Sequence, residues 1–361
     1  MRLGIVTIHH VTNYGAVFQA YALSRALRQS GVDVEIVDYR PAIAVDWYRQ
    51  PLWKNRRPNL TRHLWQRGFD RFIDRHLPLG PLQYESSSEL CADPPNYDLL
   101  VAGSDQIWCT GDGSFRGYDP AFFLDFCRDP EVAKFSYAAS AGNTGDFSGQ
   151  TAAVRQSLDE FSAISVRDDR TAELVERTTG RQATVVLDPV FLHDFDELVH
   201  DVRPAGDLVI FSSRPERFEQ LAQQIARKHR LRIVSLVRPC AWADSNVRSP
   251  DPVAWLRAMK GARAILTDYF HGLAISLKFG RPVIADAAPG KANKIADLAE
   301  RLQVTEFFLP HSSDPLAAID RAVSDPQQFA AQVEQSLYEP LERSRDFLSM
   351  ITASQTVGAA S

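Results

Sequence analysis

The sequence predicts two α/β domains in tandem, each built on a mostly parallel sheet. Short apolar, β-rich runs alternate with helical stretches from the first residue to about residue 285, the signature of strand–helix–strand units. The 361 residues suit two domains at roughly 100–200 residues each. The alternation pauses at 193–207, where Asp, Pro and Gly gather as in a linker, and then restarts. These observations predict an N-terminal domain over 1–195 with a helical insert at 46–76, and a C-terminal domain over 205–325. A helix and tail over 326–361 follow, with packing back on the N-terminal domain as one option.

Residues 3–8 read as a buried strand, 16–30 as a helix closed by Gly31, and 34–39 as a strand ended by Pro41, one βαβ unit. Residues 46–76 break the pattern with eight Lys/Arg and several aromatics, and read as helices with a loop around Pro58. Strands are predicted at 97–102, 133–139, 163–166 and 184–187, with a helix at 169–178 capped by Gly180. Beyond the linker come strands at 208–211, 232–236, 264–267 and 282–285. Helices are predicted there at 216–229, 252–259 and 272–279, with further helical signals at 314–322 and 326–348.

Composition excludes several classes. With 40 Lys+Arg against 45 Asp+Glu the net charge is -5, which argues against a general nucleic-acid binder. The apolar content of 45% is that of a globular protein rather than a disordered one. Four scattered cysteines, with no metal-ligand spacing, read as buried free thiols of a reducing compartment, and no metal site is expected. The opening MRLGIVTIHH lacks a signal peptide's apolar core, and no apolar run approaches the roughly 18–20 residues of a membrane span. A cytoplasmic location is expected, with contact to anionic lipid at the inner face of the membrane, or to a polyanionic glycan, left open through the basic, aromatic 46–76 segment. A solvated amphipathic helix pair is the plainer reading of that segment.

Candidate ligand residues cluster where strands end. Asn13-Tyr14-Gly15 lies between the first strand and the first helix, where helix N–H groups point outward and glycine lets an anion approach. A tight turn explains it equally well. Neither a G-x-G-x-x-G nor a P-loop motif is present, so ordinary nucleotide binding has no support. Gly103-Ser104-Asp105-Gln106 follows another strand, as does Ser140-Ala141-Gly142-Asn143; capped turns are the structural alternative. Arg167 ends a strand and is suited to clamping a phosphate or carboxylate, unless its Asp neighbours simply pair with it. His271-Gly272 opens a helix after Thr267-Asp268, where an imidazole suits proton transfer, though single histidines are more often structural. Lys291 and Lys294 follow the next strand and either reach a phosphate or stay solvated.

In combination these stretches resemble the polysaccharide pyruvyl transferase family. The matching segments are His-x-x-x-Asn-Tyr-Gly-Ala-Val with Gln-Ala-Tyr-Ala-Leu (9–23), Val-Asp-Tyr-Arg-Pro (37–41), and Tyr-Asp then Ala-Gly-Ser-Asp-Gln-Ile-Trp (97–108). Ser-Tyr-Ala-Ala-Ser (136–140), Ser-Val-Arg-Asp (165–168), Leu-Asp-Pro-Val (187–190) and Thr-Asp-Tyr-Phe-His-Gly-Leu-Ala-Ile-Ser (267–276) follow in the family's order. The resemblance implies two Rossmann-like domains in a GT-B-like arrangement, with the active site in the interdomain cleft. It implies transfer of pyruvate from phosphoenolpyruvate to a sugar of a surface polysaccharide or lipid-linked oligosaccharide, with phosphoenolpyruvate as co-substrate and no cofactor.

Under that resemblance His271 is the acid or a phosphate contact, and Asp105 the candidate base. Arg167, His271, Gly272, Lys291 and Lys294 are expected on the donor side. Asn13, Tyr14, Gly15, Ser104 and Gln106 are expected on the acceptor wall opposite. The chain departs from the pattern at Tyr269-Phe270-His271, where several members carry Arg-Leu-His. The missing cation is supplied by another residue such as Arg214 or Lys291, or donor chemistry in this branch differs. A GT-B glycosyltransferase using a nucleotide sugar, and a non-catalytic glycan-binding relative, are the competing readings.

Overall fold

A computed structural model describes residues 1–48, 53–54, 57–58, 60–110, 117–147, 149–287 and 292–354. The chain divides into two compact units. The first holds Met1–Gln50, Ile73–His193 and Pro340–Ser361; the second holds Pro51–Phe72 and Asp194–Glu339.

In chain order the first part runs β1 (Arg2–Val6), α1 (Tyr14–Gln29), β2 (Asp33–Tyr39), α2 (Ala42–Tyr48), β3 (Trp53–Lys54), β4 (Arg57–Pro58), α3 (Leu60–His76), β5 (Leu79–Tyr84) and α4 (Ser87–Ala92). It continues with β6 (Leu99–Ala102), β7 (Ala133–Ser136), α5 (Thr151–Asp159), β8 (Ser165–Val166), α6 (Asp169–Thr179) and β9 (Thr184–Val185). The main sheet has the order β5-β2-β1-β6-β7, and every pairing in it is parallel. Numbered by their own succession these strands run 3-2-1-4-5, the doubly wound pattern. Apolar residues cover both faces of its centre: Leu3, Ile5 and Val6 of β1 and all of β6 are buried, as a sheet with helices on both sides requires.

The second part runs α7 (Asp196–Val199), β10 (Asp207–Phe211), α8 (Glu219–His229), β11 (Arg232–Leu236), β12 (Ser245–Val247), α9 (Pro252–Gly261), β13 (Ala264–Thr267) and α10 (Phe270–Lys278). It ends with β14 (Val283–Ala285), α11 (Ala292–Arg301), α12 (Pro315–Ser324) and α13 (Pro326–Ala353). Its parallel sheet has the order β12-β11-β10-β13-β14, again 3-2-1-4-5 in its own succession.

The structure modifies several expectations. The first strand stops at Val6, leaving Thr7–Asn13 as a connecting loop that is buried as far as Val11. The loop expected around Pro58 is a two-stranded antiparallel hairpin in which Trp53 pairs with Pro58; a proline's missing N–H is tolerated at such an edge. β7 stops at Ser136 because Ala138 turns to φ 53. Cys91 is exposed, whereas Cys109, Cys127 and Cys240 are buried; all four are free. α13 carries Pro340 in its interior, and the helix continues through it to Ala353. No helix among the described residues is long and apolar enough to cross a membrane.

Candidate active site

In a doubly wound sheet the strand order reverses between its first and fourth strands, and the loops leaving their carboxyl ends open a crevice there. In the first unit those loops are 7–13 after β1 and 103–106 after β6; in the second they are 212–214 after β10 and 268–269 after β13. The sequence-predicted residues Asn13, Ser104, Asp105 and His271 thus stand at or beside the two switch points.

In the first unit Asn13 is the N-cap of α1: its Oδ1 accepts the N–H groups of Gly15 (2.9 Å) and Ala16 (3.4 Å). Tyr14 and Gly15 are buried in the helix's first turn. Behind them Gln19 Nε2 donates to Thr7 Oγ1 (3.0 Å), and Thr7 Oγ1 donates to the Ser104 carbonyl (2.9 Å), tying the loops after β1 and β6 together. A Cβ on Gly103 would lie 2.8 Å from Thr7 Cβ, so this approach needs glycine. The loop after β1 is held from its other side by the fully buried His9. Its Nδ1 meets the Thr7 carbonyl (3.0 Å) and its Nε2 meets Asp38 Oδ1 (3.0 Å). Arg40 grips the same carboxylate with two bonds, of 2.6 and 2.9 Å. Burial pushes the Asp38 carboxyl up, but the bonds from His9 and Arg40 outweigh it and hold the group below the usual carboxylate range.

Asp105 adopts φ 76, a left-handed conformation that costs an L-residue energy and that Asp tolerates better than most. The turn aims its backbone at the neighbouring loop, where its carbonyl accepts the N–H of Ser140 (3.0 Å). Its Oδ1 accepts the Gln106 N–H (2.9 Å) and lies 3.7 Å from Arg167 Nη2. Arg167 is only 3% exposed, and its Nη1 donates to Asp188 Oδ2 at 2.8 Å. Ser104 Oγ donates to the same Asp188 oxygen (3.3 Å). Burial disfavours the guanidinium charge, yet Asp188 and Asp105 outweigh it and hold the proton more tightly than usual. Asp168 caps α6 through the Thr171 N–H (2.9 Å) and accepts from Ser140 Oγ (2.7 Å).

Arg167, expected with the donor contacts, therefore belongs to the first unit and stands against Asp105, which was expected on the opposite wall. Ser104, Asp105 and Arg167 come together; Asn13 joins them only through the Gln19–Thr7 link.

In the second unit β13 is buried throughout, and Asp268 follows it with 1% exposure. Its carboxylate accepts the Ser213 N–H (2.7 Å) and Ser213 Oγ (2.6 Å). Asp286, which follows β14, accepts from Arg217 Nε (2.5 Å). Between the two carboxylates lies Arg214, with Nε 3.7 Å from Asp268, Nη2 3.8 Å from Asp286, and a 2.7 Å bond to the Ala287 carbonyl. Its side chain is 27% exposed, so it keeps a face toward solvent.

His271 is the second residue of α10, partly exposed, with its ring 5.1 Å from that of Phe270. Lys294 Nζ sits 5.8 Å from the centre of the same Phe270 ring, so Lys294 and His271 flank one aromatic side chain. Tyr269 occupies the N-cap without capping the helix by its side chain, and its ring leans on Phe211 at 4.6 Å. Burial, then the nearby Asp268 charge, pushes its phenol up. A Cβ on Gly272 would fall 2.1 Å from Thr267 Oγ1, so this glycine lets α10 sit directly on the end of β13. Lys291 lies outside the described residues.

Asp188, Asp268, Asp286 and Arg217 were not singled out from the sequence. The available signal was positional: each of the three aspartates follows immediately on a predicted strand, where a buried carboxylate usually has a cation or N–H groups to receive.

Among solved structures, similar folds include UDP-GlcNAc 2-epimerase from Neisseria meningitidis bound to UDP-GlcNAc (TM-score 0.53, 9% identity, covering 98% of this chain and 100% of that one). The S. aureus MnaA–UDP co-structure matches at TM-score 0.51 and 11% identity, covering 98% and 97%. A mutant O-GlcNAc transferase from Thermobaculum terrenum matches at TM-score 0.50 and 12% identity, covering 98% of this chain and 66% of that one. At such identities the likeness is one of fold, and it agrees with the expected α/β class of two Rossmann-like domains of the GT-B kind. No curated protein sequence matches significantly. The profile of the polysaccharide pyruvyl transferase family matches residues 13–285, most of the chain. The chain belongs to the polysaccharide pyruvyl transferase family and is a transferase.

Proposed function

We propose that this transferase moves the pyruvyl group of phosphoenolpyruvate onto a sugar of a surface polysaccharide or lipid-linked oligosaccharide, forming a ketal and releasing phosphate. The observation that supports this reading is the set of basic side chains near the end of β13: Arg214 lies 3.7 Å from Asp268, and His271 and Lys294 flank Phe270 in the first turn of α10. A doubly anionic phosphate with an adjacent carboxylate needs such cations, and a helix start adds a favourable dipole.

A proton moves to the methylene carbon of phosphoenolpyruvate, making a methyl group and an oxocarbenium-like centre, which one sugar hydroxyl attacks. The C–O bond to phosphate breaks, the second hydroxyl closes the ketal, and the two hydroxyl protons replace the one delivered to carbon and the one that leaves with phosphate. His271 is assigned the proton delivery or a phosphate contact. Arg214 is assigned the charge that an Arg at position 269 supplies in other members. Lys291, Lys294 and the Gly272 backbone are assigned to the donor as well. On the acceptor side Asp105 is assigned the base, held by Arg167. Ser104 and Gln106, with Asn13, Tyr14 and Gly15, are assigned to contacts with the sugar. Arg167, enclosed by carboxylates, is assigned to Asp105 rather than to the donor.

The test is incubation with phosphoenolpyruvate and candidate glycans, reading glycan-dependent phosphate release and the added ketal mass by mass spectrometry. Turnover is expected with phosphoenolpyruvate and lost at least about 100-fold in His271→Ala. Glycan-dependent consumption of a nucleotide sugar, with phosphoenolpyruvate untouched, overturns the reading.

A further inference from the structure

We propose that the outward stripe of α3 docks on an anionic lipid surface. The 17-residue helix buries Phe69, Phe72 and Ile73 along one side. Positions 60, 64, 67, 71 and 75, spaced by a turn each, line the other and are all exposed. The first two are Leu60 and Leu64, 60% and 58% exposed; the next three are Arg67, Arg71 and Arg75. Single exposed leucines need no explanation, but among the described residues these are the only two large exposed apolar side chains one helical turn apart. Asp74 is the one carboxylate on the same exposed side.

The helix cannot roll to hide its leucines. Ser249 Oγ donates to the Thr61 carbonyl (3.0 Å), and the missing side chain of Gly68 lets Asp251 approach so closely that a Cβ would lie 3.0 Å from Asp251 Cβ.

Leucines followed along one face by arginines match an interface with two chemistries. The leucines enter the boundary between headgroups and acyl chains, and the guanidiniums bind lipid phosphates. A second copy of the chain laid along the same stripe would set arginine against arginine. A soluble polyanion would take the arginines but leave the leucines in water. The proposal rests on the geometry of α3 alone and stands apart from the donor chemistry.

The test is flotation of the full chain with vesicles of phosphatidylcholine, with and without phosphatidylglycerol. Binding is expected only to the phosphatidylglycerol vesicles, to fall as salt rises, and to resist competition by soluble glycerol 3-phosphate. The variant R67E/R71E is expected to bind at least about tenfold more weakly, since each arginine near an anionic surface contributes several-fold. L60S/L64S is expected to lose most binding while keeping its circular dichroism spectrum and turnover on a soluble acceptor. No binding to either vesicle, equal binding to both, or variants that bind like the parent overturn the proposal. So does a dimer in sedimentation that L60S/L64S dissociates.

Discussion

At the residue scale the two units handle charge differently. Arg167 is sealed among carboxylates, while Arg214 spans two carboxylates and keeps a solvent face. Removing one partner of a buried pair strands the other charge, so Asp188→Asn is expected to cost about 3–5 kcal/mol of stability by urea unfolding. Replacing both Arg167 and Asp188 by apolar residues is expected to cost less than either single change. The His9–Asp38–Arg40 group carries a pH signature. Because the folded Asp38 carboxyl is held below its ordinary value, its contribution is fully present above the usual carboxylate range and is lost as pH falls through the depressed value. Asp38→Asn is expected to lose about 1–3 kcal/mol near neutrality, and the gap to the parent narrows below about pH 4 in denaturant titrations across pH. The sequence displayed Arg167 followed by Asp168 and Asp169, but its partner at 2.8 Å is Asp188, 21 residues away. Neighbouring Asp168 instead caps α6, and local spacing could not separate these roles.

At the element scale, two helix starts show why candidate motifs and structural motifs coincide. Asn13 caps α1, so Asn13→Ala is expected to lower stability by about 1 kcal/mol and Asn13→Asp to retain it; a sugar-binding role would show separately, as a raised KM. Gly272 seats α10 on Thr267, so Gly272→Ala is expected to cost about 1–3 kcal/mol in thermal melts through overpacking, with Thr267→Ala recovering part of it. The strands and helices of both switch points were legible because apolar runs and turn residues mark them. The hairpin at Trp53–Lys54 and Arg57–Pro58 was not, since two-residue strands carry no periodicity. Nor was the end of β7 at Ser136, set by the positive φ of Ala138 in an apolar run that reads as continuous strand.

At the scale of the molecule, the C-terminal half of α13 belongs to the first unit, where Ser344 Oγ accepts the Leu187 N–H (2.9 Å) and Phe347 packs edge-on to Tyr137. Truncation after Glu339 strips a buried phenylalanine and a buried hydrogen bond, and is expected to destabilise the first unit by at least about 3 kcal/mol in thermal unfolding. The sequence by itself determined the class of fold and the family. Alternating apolar runs set by strand and helix periods require parallel sheets with helices on their faces, and the ordered motifs lie in the loops those strands create. Tertiary structure alone decided which charges meet. Strand order 3-2-1-4-5 brings the ends of β10, β13 and β14 side by side, and with them Arg214, Asp268 and Asp286, which are tens of residues apart in the chain. Pairing of that kind depends on which strands are neighbours, and neighbourhood in a sheet is set by the packing of the whole unit rather than by any local pattern.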